Sequence, residues 1–468
     1  MAPEYNAPMN TSTLSQQLPW HAARRARLME RMQAVGGGIA VIPTAPEAVR
    51  NRDTHFPYRH DSYFHYLSGF TEPEAVVVLL AGAVTKSILF CRAKHEEREI
   101  WDGFRYGPAA AADIFGFDEA YAIDEFDARL AQLMTGQSAL FYAMGFDAGF
   151  DARVLAAINT VRNLVRTGQT PPASMVDVRT ILDEMRLVKD AHEIDIMRRA
   201  AAISTEAHKR AMRASKPGRY EYEIEAELLH EFRRNGSEYP AYGSIVAAGA
   251  NACVLHYVSN DAAMQDGDLL LIDAGCELRG YASDITRTFP VNGKFSGPQR
   301  DLYEIVLAAQ AAARAATRPG TPYNLPHEAA VKVLAQGMLD TKLLTGSLDA
   351  ALEQGNARNG GYFRFYMHRT GHWLGMDVHD AGPYKKGGAA ANTTIDAGAD
   401  AGWLPLQPGN MVTVEPGIYV RPADDVPKAF WNIGIRIEDD ALVTQDGCEF
   451  ITEACPRTVA DIEALMRG

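Results

Sequence analysis

Apolar and polar positions follow two different rhythms along this chain, and the rhythm changes near residue 170. Before that point, apolar runs at residues 37–45 (GGIAVIPTA), 75–84 (AVVVLLAGAV), 86–93 (KSILFCRA) and 138–145 (SALFYAMG) predict strands. Residues 124–136 and 150–165 repeat apolar side chains every three or four positions and predict helices between them. Strands interleaved with helices predict an α/β domain. The polar segment 166–174 carries two prolines and predicts a linker, placing an N-terminal domain at 1–174 and a second domain at 175–468. In the second domain, residues 191–214 put Ile194, Met197 and Ala201 on one helical side. Residues 221–235 space Ile224, Leu228 and Phe232 four apart and stop at Gly236. Residues 298–316 open on Pro298, a favourable first-turn residue. Strands are predicted at 269–275, 282–289, 411–420 and 434–444, a mixed α+β pattern. The stretch from Lys385 to Trp403 is Gly/Ala-rich and predicts an exposed insertion.

Composition narrows the class. The 468 residues are 47% hydrophobic and 22% charged, enough apolar material for a large core, which excludes a disordered chain or a disulfide-stapled miniature domain. Lys plus Arg number 46 against 59 Asp plus Glu, and the net charge of -13 argues against nucleic acid as a partner. Five cysteines without a CxxC pair predict reduced thiols. The longest apolar runs are about ten residues, half of a membrane span. The first residues show no basic start followed by an apolar run. The expectation is a cytoplasmic protein with no membrane partner.

The surplus of carboxylates has a pattern. Asp273 ends the apolar run 269–272, and Asp284 follows eleven residues later, with Thr286 and Thr288 alternating beside it. A turn at Arg279–Gly280 would form a hairpin that brings the two aspartates to facing positions. Unpaired carboxylates on an inner sheet face are costly unless protonated or bound to a cation. His368, His372 and His379 then fall within twelve residues, with Gly371 and Gly375 permitting close backbone approach. Glu415 precedes Pro416–Gly417 at the end of an apolar strand. Glu438 lies two residues after Arg436, which makes an ion pair between them the simplest local expectation. The spacing is not HExxH, so a zincin is not supported. A carboxylate-rich set with one imidazole suits divalent cations such as Mn²⁺, or a pair of them.

The order and context of Asp273, Asp284, His372, Glu415 and Glu438 resemble the metal ligands of the pita-bread metallopeptidases, a family that includes methionyl aminopeptidase, prolidase and aminopeptidase P. Residues 52–79 (RDTHFPYRHDSYFHYLSGFTEPEAVVVL) and 95–103 (HEEREIWDG) are similar to the N-terminal domain of the bacterial aminopeptidase P branch. The resemblance covers nearly the whole chain. It implies a two-domain α/β architecture: an N-terminal mixed sheet flanked by helices, and a curved antiparallel sheet with outer helices and two metal ions within. It implies that Asp273 binds one metal, His372 and Glu415 the other, and that Asp284 and Glu438 bridge them. A bridging hydroxide would be the nucleophile, Glu415 would shuttle the proton, and His368 would steady the tetrahedral intermediate. His256, Val378 and His379 would line the proline site, with Arg436 and Tyr419 holding Glu438 and the peptide carbonyl. Packing as a plain strand aromatic is an equal reading for Tyr419.

The activity so implied is release of the N-terminal residue before proline, with prolidase action on Xaa-Pro dipeptides as the alternative. Methionyl aminopeptidase lacks an N-terminal domain of this kind, and creatinase works without metal. A scaffold on a dead catalytic domain would have lost ligands. Related enzymes are dimers or tetramers, so a homodimer or homotetramer is expected. In those, residues placed like Asp53 and Trp101 reach a neighbour's site, although Trp101 packing in its own domain is an equal reading.

Overall fold

The computed structural model describes residues 11–386 and 402–468. The chain divides into two compact units, Met1–Met185 and Arg186–Gly468. Among the described residues no helix is long and apolar enough to cross a membrane.

In the first unit six strands form one mixed sheet, in the order Glu119–Ala122, Thr85–Cys91, Val76–Ala81, Gly38–Pro43, Ala139–Phe141, Ser174–Val176. Val76–Ala81 pairs antiparallel with both neighbours, and the three later strands join in parallel. Alternation puts Ile39, Val41, Val76, Val78, Ile88 and Phe90 in one core cluster. They pack there with Phe126, Leu130, Val154 and Ile158 from the helices Phe126–Met134 and Ala148–Asn163. The apolar run 75–84 gives a strand only to Ala81, because residues 82–84 turn into the next strand. The polar segment 166–174 leads into Ser174–Val176, which pairs with Ala139–Phe141 as the edge of the sheet.

In the second unit the helices Ala191–Ala214, Glu221–Arg234 and Gly297–Ala316 occupy the predicted stretches. Asp190 and Glu193 cap the first of them reciprocally. Leu325–Asp340 and Leu348–Asn356 are helices that the periodicity did not single out. The strands form short antiparallel ladders.

Three predicted strands are each broken. Residues 282–289 divide at 283–285, after Tyr281–Ala282 and before Thr286–Pro290. Residues 411–420 become Met411–Val414 and Gly417–Val420. Residues 434–444 become Ile433–Arg436 and Asp439–Val443. Each break holds one of the acidic residues singled out above: Asp284, Glu415 or Glu438. Lys385 and Trp403 meet in an isolated bridge, and the rest of the predicted insertion, 387–401, lies outside the described residues.

Candidate metal centre

The breaks set the carboxylates. Val414 pairs with Asp439 and Gly417 with Arg436, so the register carried across the gap puts Glu415 opposite Glu438. The other two acids depart from the predicted hairpin. Asp273 pairs with Thr286, not with Asp284, because Asp284 lies beyond the end of that ladder. It reaches the site from an irregular stretch whose backbone is clamped. Gly275 passes so close to the Ser283 carbonyl that an added Cβ would sit 1.7 Å from its oxygen, and the Asp284 N–H donates to the Asp440 carboxylate at 3.2 Å.

Asp284, His372 and Glu438 offer ligand atoms that all lie within 4.8 Å of one another. His372 donates from Nδ1 to the Trp373 carbonyl at 2.9 Å, which directs Nε2 toward Asp284 (3.6 Å) and Glu415 (3.7 Å). Asp273 is drawn to Arg436 at 2.6 Å. The expected Arg436–Glu438 pair is therefore replaced. Glu438 instead accepts from the Thr286 hydroxyl at 2.6 Å, and that hydroxyl accepts from Arg436 Nε at 3.1 Å. Arg436 also donates to the Tyr419 hydroxyl at 2.9 Å, and Tyr419 lies 2.8 Å from His368 Nε2. Because arginine can only donate, Tyr419 has its proton free for His368 Nε2. His368 then carries its own proton on Nδ1, which donates to the Arg369 carbonyl at 2.7 Å. Both its ring nitrogens are engaged in this arrangement.

The titration shifts follow from crowding. Burial, with Asp284 and Glu415 nearby, pushes Glu438 well above the usual carboxylate range. Burial raises Glu415 to about 7 against the pull of His372 and Arg436. Burial opposes charge on His372, but the nearby Asp284 and Glu415 carboxylates outweigh it and lift the imidazole to about 9. Burial, followed by Arg436, drives His368 down to about 3, so it is neutral. The site holds protons where neighbouring anions would otherwise repel.

The family profile of metallopeptidase family M24 matches residues 195–445, and the aminopeptidase P N-terminal domain profile matches residues 21–142. The chain belongs to metallopeptidase family M24. An Xaa-Pro aminopeptidase of Escherichia coli K12 is 43% identical over 445 residues, spanning 95% of this chain and 96% of that protein. An aminopeptidase structure from Pseudomonas aeruginosa superposes with TM-score 0.90 at 47% identity, covering 98% of each chain. A zinc-substituted aminopeptidase P from E. coli, in complex with product, superposes with TM-score 0.89 at 41% identity, covering 98% of this chain and 99% of that one.

The donor set of this M24 peptidase fits a divalent cation. The available donors are hard oxygens plus one imidazole oriented through its other nitrogen. The raised acids are those a cation would relieve. Of the remaining predicted residues, His379 stands beside His372, ring centroids 4.4 Å apart, and is exposed. Val378 is half-buried next to it, and His256 is exposed on the loop after Cys253. Asp53 and Trp101 belong to the first unit. Asp53 is exposed at a hairpin tip, and Trp101 is 80% exposed on a helix that buries no residue, so it does not pack into its own unit's core.

Tyr242 is the residue that sequence reasoning missed. Its hydroxyl lies 2.6 Å from Asp273 Oδ1 and 2.5 Å from Asp284 Oδ1. With one proton it can donate to only one of them, so it couples the two acids directly. Only the strand register places it: Ile245 pairs with Asp273, which puts the residues just before 245 past the aspartate. Tyr242→Phe should weaken divalent-metal affinity about 10–100-fold, as loss of a ligand's hydrogen-bond partner does elsewhere. Competition against a fluorescent chelator measures it, and unchanged affinity would show that the phenol is incidental.

Proposed function

We propose that this M24 peptidase is an Xaa-Pro aminopeptidase, a dinuclear metal enzyme that releases the N-terminal residue from peptides with proline second. The observation that carries this is the convergence of Asp284, His372 and Glu438 beside Glu415 and Asp273, with His379 against His372. Asp273 would hold one ion, His372 and Glu415 the other, and Asp284 and Glu438 both, with Mn²⁺ the favoured metal on donor chemistry. When bound, such ions acidify water into a nucleophile near neutral pH and polarise the scissile carbonyl.

The protein's own groups do the rest. Glu415, freed of its proton once a cation is bound, can take up a proton as the nucleophile forms and pass it to the departing proline nitrogen. Neutral His368, the expected partner of the tetrahedral carbon's oxygen, has its ring oriented by Tyr419 and by the Arg369 carbonyl. Arg436 and Tyr419 hold the acidic side of the site. His256, Val378 and His379 wall the proline ring, which has no N–H to test by hydrogen bonding. The active form would be a homodimer or homotetramer, in which the exposed Trp101 and Asp53 meet a neighbouring copy's site in a cytoplasmic enzyme.

Parallel assays on Gly-Pro, Gly-Pro-Yaa and Gly-Ala-Yaa, with metal-depleted protein and with added Mn²⁺, test the reading. Gly-Pro-Yaa should be cleaved with the highest kcat/KM. Gly-Ala-Yaa should fall about 10–200-fold behind, because a methyl fills little of a ring-shaped pocket. Dipeptides clearly outpacing tripeptides would make the enzyme a prolidase.

A further inference from the structure

The turn that presents His379 is anchored by an ion cluster that no part of the proposed mechanism uses. Asp380, the next residue, has its side chain 1% exposed. Its Oδ1 accepts from Arg186 Nη2 at 2.6 Å and its Oδ2 from Lys189 Nζ at 2.8 Å. Both cationic side chains are also 1% exposed. Lys189 Nζ donates to the Arg186 carbonyl at 2.8 Å as well, so the two cations and the acid are locked together.

The backbone closes around the same carboxylate. The Asp377 N–H lies 3.3 Å from Asp380 Oδ1, and the Asp380 N–H donates to the Trp373 carbonyl at 2.9 Å. The Gly375 carbonyl accepts from the Ala282 N–H at 2.8 Å, two residues before Asp284. A Cβ on Gly375 would lie 2.2 Å from Asp380 Oδ2, so the carboxylate fills the space that glycine leaves. On the other side, Lys189 donates its own N–H to the Gly409 carbonyl at 2.9 Å.

Removing three charges from water is costly, and an apolar cluster of the same shape is often as stable. What the ions supply is a fixed position. Lys189 and Arg186 hold Asp380 ionised, below the usual carboxylate range, against the effect of its burial. Adjacent residues then diverge: Asp380 points into the cluster and His379 is exposed beside His372.

We propose that Asp380, clamped by Arg186 and Lys189, is a positioning residue that sets His379 and thereby the enzyme's discrimination for proline over other second residues. The proposal rests on reading His379 as a wall of the proline site. It places no group of the cluster on the metals or the reacting atoms.

The test uses the full-length, Mn²⁺-loaded enzyme and its Asp380→Asn, Lys189→Met and Lys189→Arg variants. For each, bound metal is counted, and kcat and KM are measured on Gly-Pro-Yaa and Gly-Ala-Yaa. Asp380→Asn should retain its metal and lose about 10–100-fold of the Pro/Ala ratio in kcat/KM, mainly through KM for the proline peptide. Lys189→Met should move the ratio in the same direction, and Lys189→Arg, which keeps the cation, should hold it near wild type. If Asp380→Asn does not accumulate in soluble form, the two Lys189 variants decide the matter, since Asp380 keeps Arg186 in both. An unchanged ratio, an equal loss on both peptides, or loss of bound metal would each overturn the positioning role. A wild type without proline preference would instead overturn the proposed function, and the positioning role with it.

Discussion

Asp284→Ala is expected to lower kcat/KM on a proline tripeptide by at least about 10³-fold, on the scale of the several kcal/mol a bound cation supplies. Asp284 is the acid nearest His372, shares Tyr242 with Asp273, and is one of three donors within 4.8 Å of each other. Chelation of the wild type should have an equal effect, reversed by Mn²⁺, while the variant is not rescued. Proton release gives an independent check. In the metal-free site Glu438 and His372 hold protons at neutral pH, as does part of the Glu415 population, with His372 raised to about 9 and Glu415 to about 7. A cation needs these groups deprotonated, so binding must expel protons. Raising the pH removes protons that compete with the metal, so apparent affinity should climb from below pH 7 to about 9. Full activity in chelated buffer, or affinity flat across that range, would sink the metal reading.

The second large effect is on stability. Arg287 and Asp439 are both fully buried and 2.7 Å apart. Asp439 also accepts from Thr452 at 2.6 Å and Gln310 at 2.9 Å. Arg287 further donates to the Glu438 carbonyl at 2.6 Å, so this pair underlies the break that carries Glu438. Asp439→Asn keeps the shape and strands a buried guanidinium. That should cost about 3–5 kcal/mol, read from urea unfolding of the second unit. Adding Arg287→Met should not recover the loss, because Arg287 also donates to the Thr286, Glu438, Cys455 and Pro456 carbonyls, which methionine would leave unpaired. A single-variant loss under about 1 kcal/mol would mean that water reaches the arginine.

Much of the chemistry was legible along the chain because it depends on residue type and order. Buried strands announce themselves by apolar runs, and a carboxylate at the end of one, as at Asp273 or Glu415, is conspicuous because burial penalises it. Helices such as Ala191–Ala214 were readable from local caps and spacing. What needed the tertiary structure was every relation between segments distant in sequence. Pattern carries no register, so the predicted pairing of Asp273 with Asp284 gave way to Asp273 with Thr286. Arg436 is two residues from Glu438, yet its guanidinium reaches across to Asp273, because the strand break turns Glu438 toward Thr286. Tyr242 has no mark in its own neighbourhood and acquires its place only when Ile245 pairs beside Asp273. The chain alone determined which groups were available for a cation site. Only folding decided which of them share a proton, because hydrogen bonding and electrostatic coupling depend on distances of a few ångströms that residue order does not encode.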